Sequence, residues 1–314
     1  MRVALSLSTD QTRTVPEARD AETAGFDAVA SGEHLFFHGP IGNAFVTLAA
    51  AAGATSRIRL VSSLTILPVY PAALAVKLAT TLDQVSGGRF ELGVGIGGEF
   101  PAEFTAAGVD PATRGARADE ALELARRLWS GGPVTFDGRF TSVPGLELAP
   151  GPVQAGGPPI WLGGRSDAAV RRAGRFADHW LPYMYTPEQL ASSLVRVREE
   201  AERAGRDPRS VRGAVFCWGA VDEDRARGRE LAIRGVSDAY QQDFTGLADR
   251  YLLLGTPDDV VARATEYAQA GADSLVFQPV HGSVREAVVA SFAADVLPRL
   301  HALRDTGPEL PRRS

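Results

Sequence analysis

Four short stretches carry side chains that could do chemistry together. They are Ser31-Gly32-Glu33-His34, Ser62-Ser63-Leu64-Thr65, the glycine run Gly93-Val94-Gly95-Ile96-Gly97-Gly98-Glu99, and Trp161-Leu162-Gly163-Gly164-Arg165-Ser166. A histidine titrates near neutrality, so His34 can give or take a proton during turnover, with Glu33 beside it and Glu99 as a second acid. Gly163-Gly164-Arg165-Ser166 sets turn amides, a guanidinium and a hydroxyl ahead of a helix that begins near Asp167. That combination suits an anion such as a phosphate; a tight turn with a solvated arginine is the plain alternative. Gly95, Gly97 and Gly98 lack the lysine of a P-loop and suit close backbone approach to a flat ligand, or turn geometry alone.

Other chemistries are poorly provided for. His34 and His38 stand four apart, which on a helix would suit a metal, but Phe36-Phe37 followed by Gly39-Pro40 argues against a helix, and no metal is expected. His179, His281 and His301 read as structural or exposed. Lys77 is the only lysine among 33 basic residues and falls in a helix pointing away from the candidate site, so a Schiff-base enzyme has no nucleophile. No G-x-S-x-G elbow is present. A formal net charge of −5 gives no footprint for nucleic acid or anionic lipid. No apolar run is long enough to span a membrane. Cys217 is alone, and MRVALSLSTD has neither the apolar core nor the cleavage site of a signal peptide, so a cytoplasmic protein is expected.

What must position these stretches is a repeating unit. With 45% hydrophobic and 23% charged residues the chain has enough apolar material for a large core. Apolar, β-branched runs predict strands over 3–8, 27–31, 58–67, 89–94, 159–163, 179–182, 211–221 and 274–279, separated by helical patterns. Eight such βα units predict one α/β domain over 1–303, a closed (β/α)8 TIM barrel, followed by a disordered tail over 304–314. In such a barrel the residues just past the C-terminal strand ends converge on one mouth, and all four stretches lie there. Thr186-Pro187-Glu188-Gln189 and Thr256-Pro257-Asp258-Asp259 predict capped helix starts, and Ser283 with Glu286 predicts the start of the last helix. Two regions exceed the minimal barrel and are expected to decorate the mouth. Residues 98–158 hold an amphipathic helix and a hairpin (134–136 with 139–141, turning at Asp137-Gly138), and residues 222–255 form the second insertion. Phe36, Phe37, Trp180, Tyr183 and Tyr185 could line an apolar or aromatic pocket, or simply pack in the core.

Several motifs in order carry a family resemblance. Leu64-Thr65-Ile66-Leu67-Pro68-Val69-Tyr70-Pro71-Ala72 leads through Leu82-Asp83-Gln84-Val85-Ser86-Gly87-Gly88-Arg89 to Leu92-Gly93-Val94-Gly95. Arg114-Gly115 with Asp119-Glu120, Leu128-Trp129-Ser130-Gly131, Pro158-Pro159-Ile160-Trp161-Leu162-Gly163-Gly164 and Ala177-Asp178-His179-Trp180-Leu181-Pro182 follow. Over most of its length the chain resembles the bacterial luciferase-like monooxygenases. The resemblance implies a flavin- or F420-dependent oxidoreductase, a monooxygenase that uses reduced coenzyme F420 or FMN to oxidise or reduce a small organic substrate. It implies that the ring lies on Ser62, Ser63 and Leu64 and near Gly97, with a non-proline cis peptide at Ser63-Leu64. It places the coenzyme phosphate at Gly163, Gly164, Arg165 and Ser166, and makes His34, Glu33 and Glu99 the catalytic candidates. The Gly-Gly-Arg-Ser turn with Arg171-Arg172 behind it looks more like the F420 branch. A homodimer and a separate reductase supplying reduced coenzyme are further implications. A coenzyme-independent phosphate-binding isomerase and a non-catalytic flavin-binding protein are the other readings.

Overall fold

The computed structural model describes residues 1–303, so the tail over 304–314 lies outside the described residues. Twelve strands are present: β1 (Arg2–Ser6), β2 (Ala28–Ser31), β3 (Arg59–Ser62), β4 (Thr65–Ile66), β5 (Phe90–Gly95), β6 (Pro133–Asp137), β7 (Ser142–Glu147), β8 (Ile160–Gly163), β9 (His179–Leu181), β10 (Arg212–Val221), β11 (Leu253–Gly255) and β12 (Ala272–Pro279). The order β12-β1-β2-β3-β5-β8-β9-β10 closes through the parallel pairing of β10 with both β9 and β12. The result is an eight-stranded parallel TIM barrel built from the eight strands the pattern predicts.

The strands close into a barrel because their alternate residues differ in size. Outward residues such as Val3, Leu5, Val29, Ile160, Leu162, Val215 and Leu275 pack against the surrounding helices. The inward set is mostly small, Ala4, Ala28, Ala30 and Ala214, with Val61, Leu181, Val276 and one large ring, Trp161, filling the axis. Two-residue alternation then carries each inward row up to the mouth. β1 passes from Ala4 to Ser6 and Ser8, β2 from Ala30 to Gly32 and His34, and β5 from Gly93 to Gly95 and Gly97. β8 passes from Trp161 to Gly163 and Arg165, and β10 from Ala214 to Phe216 and Trp218.

The helices start where the caps predict. Thr186 and Thr256 each form a full capping box, with Gln189 and Asp259 respectively. The last helical stretch opens at Arg285 without a side-chain cap, two residues after Ser283. The first insertion adds a short helix, Pro101–Ala106, before Arg114–Trp129. Its hairpin turns over residues 138–141, so the second strand starts at Ser142. This follows because Glu120 accepts the Phe140 amide and holds the turn open. The hairpin lies along that helix, where Arg117 covers Phe140 and Arg127 covers Phe136, instead of over the mouth. The second insertion supplies the helix Arg225–Tyr240, whose end reaches the mouth, and β11, which extends the sheet beside the outer end of β10.

Candidate active site

A cavity of about 460 Å³ opens at the C-terminal end of the barrel, within the usual range for a cofactor or small-molecule site. Its β3, β5 and β8 side is a cradle made by missing side chains. The Ser63-Leu64 peptide is cis, and the Leu64 side chain lies across three glycines. A Cβ at Gly163 would stand 2.3 Å from Leu64 Cδ1, and one at Gly93 would stand 1.8 Å from the Ser62 carbonyl oxygen. Gly97 adopts φ +61°, and a Cβ there would meet Phe104 at 2.9 Å. These glycines are therefore required by close packing, and they let the Leu64 side chain lie against the strands at the cavity wall.

Ser63, Leu64, Gly95, Gly97, Gly163, Gly164 and Arg165 face this cavity; Ser62 and Ser166 do not line it. Ser62 is buried, its hydroxyl donating to the Gly93 carbonyl (2.9 Å) and accepting from the Gly93 amide (2.8 Å), so it ties β3 to β5. The Ser166 hydroxyl accepts from the Ala169 amide at 3.2 Å as the cap of the helix Asp167–Phe176. Of the phosphate turn, the exposed Arg165, whose Nη1 donates to the Met184 carbonyl at 3.2 Å, and that helix N-terminus stand where they could meet an anion. Arg172 is committed elsewhere: it is buried against Asp119 and the Gly115 carbonyl. That contact joins two of the motifs that carry the resemblance.

His34 lines the cavity beside the cradle, past the end of β2 next to β3, its ring stacked on Phe37 at 4.2 Å. Its Nδ1 lies 3.1 Å from Oε2 of Glu103, a fully buried carboxylate that also accepts the Leu35 amide. A carboxylate in its charged form only accepts, so this contact suits the tautomer with hydrogen on Nδ1, in which Nε2 is the exchangeable nitrogen. Sequence reasoning missed Glu103. Its signal was slight: Pro101 at a helix start places residue 103 one turn inward of the loop that bears Glu99.

Glu33 also lines the cavity, with both carboxylate oxygens engaged. Its Oε2 accepts from Asn43 (2.9 Å), Tyr70 (2.9 Å) and the Ala44 amide (3.1 Å), and its Oε1 from the Ile66 amide (2.9 Å). Burial raises its pKa against the lowering by these donors. With its acceptor sites filled, Glu33 braces the His34 loop against β4 and the helix Ala44–Ala54. Glu99 is exposed at the cavity lip, its charge felt by Tyr183 and Tyr240.

The aromatic residues divide. Phe37 and Tyr183 line the cavity, together with Phe216, Trp218 and Tyr240, which sequence reasoning did not single out. Phe36 is exposed, Trp180 is buried with its indole donating to the Gly164 carbonyl, and Tyr185 packs behind Trp180. His281 is no bystander, since it lines the cavity edge-on to Trp218 at 5.1 Å. Alternation along β10 is the signal that would have found Phe216 and Trp218.

The sequence model of the luciferase-like monooxygenases matches residues 2–274. The chain belongs to the luciferase-like monooxygenase family. Within it, this luciferase-like protein is 35% identical to an uncharacterised protein of Mycobacterium tuberculosis, over 63% of this chain and 74% of that one. It is 29% identical to the F420-dependent glucose-6-phosphate dehydrogenase of Nakamurella multipartita, over 91% of this chain and 92% of that one. Among solved structures, an F420-dependent secondary alcohol dehydrogenase in complex with an F420-acetone adduct superposes with a TM-score of 0.84 at 22% identity, covering 95% of this chain and 98% of that one. The oxygenating constituent of 3,6-diketocamphane monooxygenase from Pseudomonas putida, in complex with FMN, does so with a TM-score of 0.77 at 20% identity, covering 96% and 98%. At these identities the structural likeness shows the fold alone. Among the described residues no helix is long and apolar enough to cross a membrane.

Proposed function

We propose that the protein is an oxidoreductase that works with a reduced flavin or deazaflavin on a small organic substrate. The observation that carries this is the pairing of a glycine-backed wall at Leu64 with a His34 ring fixed by a buried carboxylate. The fit rests on the cradle itself, since the space that side chains at Gly93 and Gly163 would take is already filled by Ser62 and Leu64, leaving the Leu64 side chain and the Gly95 and Gly97 backbone as the surface a planar ring would meet.

Leu64 and the glycines Gly95 and Gly97 would hold the ring system. The turn at Gly163 and Gly164, Arg165 and the N-terminus of the helix Asp167–Phe176 would hold a phosphate. When bound, such a coenzyme supplies a hydride, or the electrons with which dioxygen is activated. His34 moves the proton, with Nε2 the exchanging atom and Glu103 fixing the tautomer and stabilising the charged ring. Glu33 acts as a positioning residue through the loop that carries His34. Of the two coenzymes we favour F420, on the Gly-Gly-Arg-Ser turn and on the name of the Nakamurella relative.

Titration of the purified protein with FMN and with coenzyme F420, followed by absorbance and fluorescence, tests the reading. Binding of one of them in the micromolar range is expected. Binding of neither overturns it, whereas binding without turnover of any substrate would turn the protein into a carrier.

A further inference from the structure

Opposite the glycine wall the cavity changes character. Rings from five separate segments form a continuous arc: Phe37 meets Tyr240 edge-on at 6.4 Å, and Tyr240 stacks on Tyr183 at 5.8 Å. Tyr183 meets Phe216 at 5.7 Å, and Trp218 meets both Tyr240 at 6.1 Å and His281 at 5.1 Å. Such edge-to-face and offset arrangements favour a further aromatic ring over a hydrated one.

The charges lining the cavity are as telling. Arg165 is the one arginine or lysine among the described residues that line it, and it stands at the β8 turn; the acids are Glu33, already saturated, and Glu99. Burial and the neighbouring Arg285 lower the His281 pKa, leaving a neutral imidazole at physiological pH. Burial raises both Tyr183 and Tyr240, so each remains a neutral phenol. The Tyr183 hydroxyl and the Trp218 indole N–H are shielded from solvent and both lie beside the Tyr240 hydroxyl, so the three groups form one neutral polar cluster within the wall. On the β1 and β12 side, Ser8, Gln11 and Gln278 add neutral polar groups.

We propose, resting on the reading that the Leu64 and Gly163 side holds the coenzyme, that the aromatic wall selects an uncharged aromatic or fused-ring substrate bearing a hydroxyl or carbonyl oxygen. Phosphorylated and carboxylated compounds are excluded. No second cation is left for a substrate phosphate once Arg165 serves the coenzyme, and Glu99 at the lip repels anions.

The test uses the full chain, loaded with whichever of FMN and coenzyme F420 it binds in separate titrations, and calorimetric binding of 2-naphthol, its charged counterpart 2-naphthyl phosphate, and glucose 6-phosphate. The naphthol should bind at least about ten-fold tighter than either phosphate, the factor expected from one uncompensated buried charge or polar group. Tyr240→Ala should weaken naphthol binding about ten-fold, the loss expected for one aromatic pair, while leaving coenzyme affinity unchanged. Tyr240→Phe should retain it. Phe216→Leu provides the same readout should Tyr240→Ala fail to fold. Equal or tighter binding of the phosphates, or naphthol binding indifferent to both variants, overturns the inference. Coenzyme binding with no preference for naphthol sinks the substrate class alone. A preference for naphthol without coenzyme binding sinks the proposed coenzyme and leaves the selectivity standing.

Discussion

At the floor of the barrel Glu91 is buried between Arg2 and Arg59 and accepts the Trp161 indole N–H at 2.6 Å. Two to four residues further along these chains, the inward positions become Gly95, Ser63 and Gly163, and the interior opens into the cavity. The floor holds a void of only about 10 Å³, room for one water at most. Both ends contain an acid and a histidine, but they use them differently. At the floor, burial would raise Glu91, and Arg2 and Arg59 outweigh it, holding the carboxyl well below its usual range. His179, stacked on Trp161 at 4.2 Å, is pushed down by burial and stays neutral. At the mouth, Glu103 has no arginine partner in any hydrogen bond or ion pair among the described residues and is aimed at one ring nitrogen of His34, whose other nitrogen is left for exchange. Saturated charge seals one end; a single directed carboxylate leaves the other reactive.

The sharpest way to break this comparison is at the floor. Glu91→Ala leaves two guanidinium groups and an indole donor without their acceptor, and should cost about 3–5 kcal/mol of stability, read by thermal or denaturant unfolding. Coenzyme affinity of the folded fraction should be intact. At the mouth the pattern should invert: His34→Ala should lower turnover about a hundred-fold with stability and coenzyme affinity nearly unchanged. Glu103→Gln should do so less, shifting the pH profile of turnover, because an amide still orients the ring without stabilising its charged form. If Glu103→Gln changes stability but not that profile, Glu103 is part of the scaffold like Glu91.

Gly163→Ala probes the boundary between the two ends. Its added Cβ meets the flexible tip of Leu64, so the fold should survive while Leu64 is driven into the ring-binding space. Coenzyme affinity should fall about ten-fold, a cost of about 1.4 kcal/mol, measured by fluorescence titration. The smallest expected effect is in pH. A histidine with a lowered folded pKa binds fewer protons than it does unfolded, so stability falls as pH drops below about 6.5. His179 should contribute a slope of at most about 1.4 kcal/mol per pH unit there, and His179→Gln should flatten the midpoint curve between about pH 7 and pH 5. The depressed Glu91 works in the same sense further down, its stabilisation being lost as pH falls below the ordinary carboxylate range.

Much of the barrel and half of the site were legible because both are local. Apolar, β-branched runs mark all eight barrel strands, and capping residues mark the helices at Thr186 and Thr256. Motifs from the resemblance, by contrast, sort mainly into scaffolding: the Arg89 guanidinium ties helix Ala44–Ala54 to β3 through the Ala52, Thr55 and Ile58 carbonyls, and Asp83 holds the Val153 and Gln154 amides.

The sequence by itself determined which residues face the axis, since a strand's two-residue alternation is set by the chain alone and places His34, Gly95, Gly163 and Arg165 on the inner row. Which of them share a layer, and which partners they find, was decided by the tertiary structure. Glu33 and Glu103 lie near the same histidine, and nothing in their types separates them. Closure of the barrel gives Glu33 four donors from two other segments and brings Glu103, 69 residues from His34 in the chain, to its Nδ1. Hydrogen-bond saturation is a property of neighbours, and neighbours distant in sequence exist only after the sheet has closed.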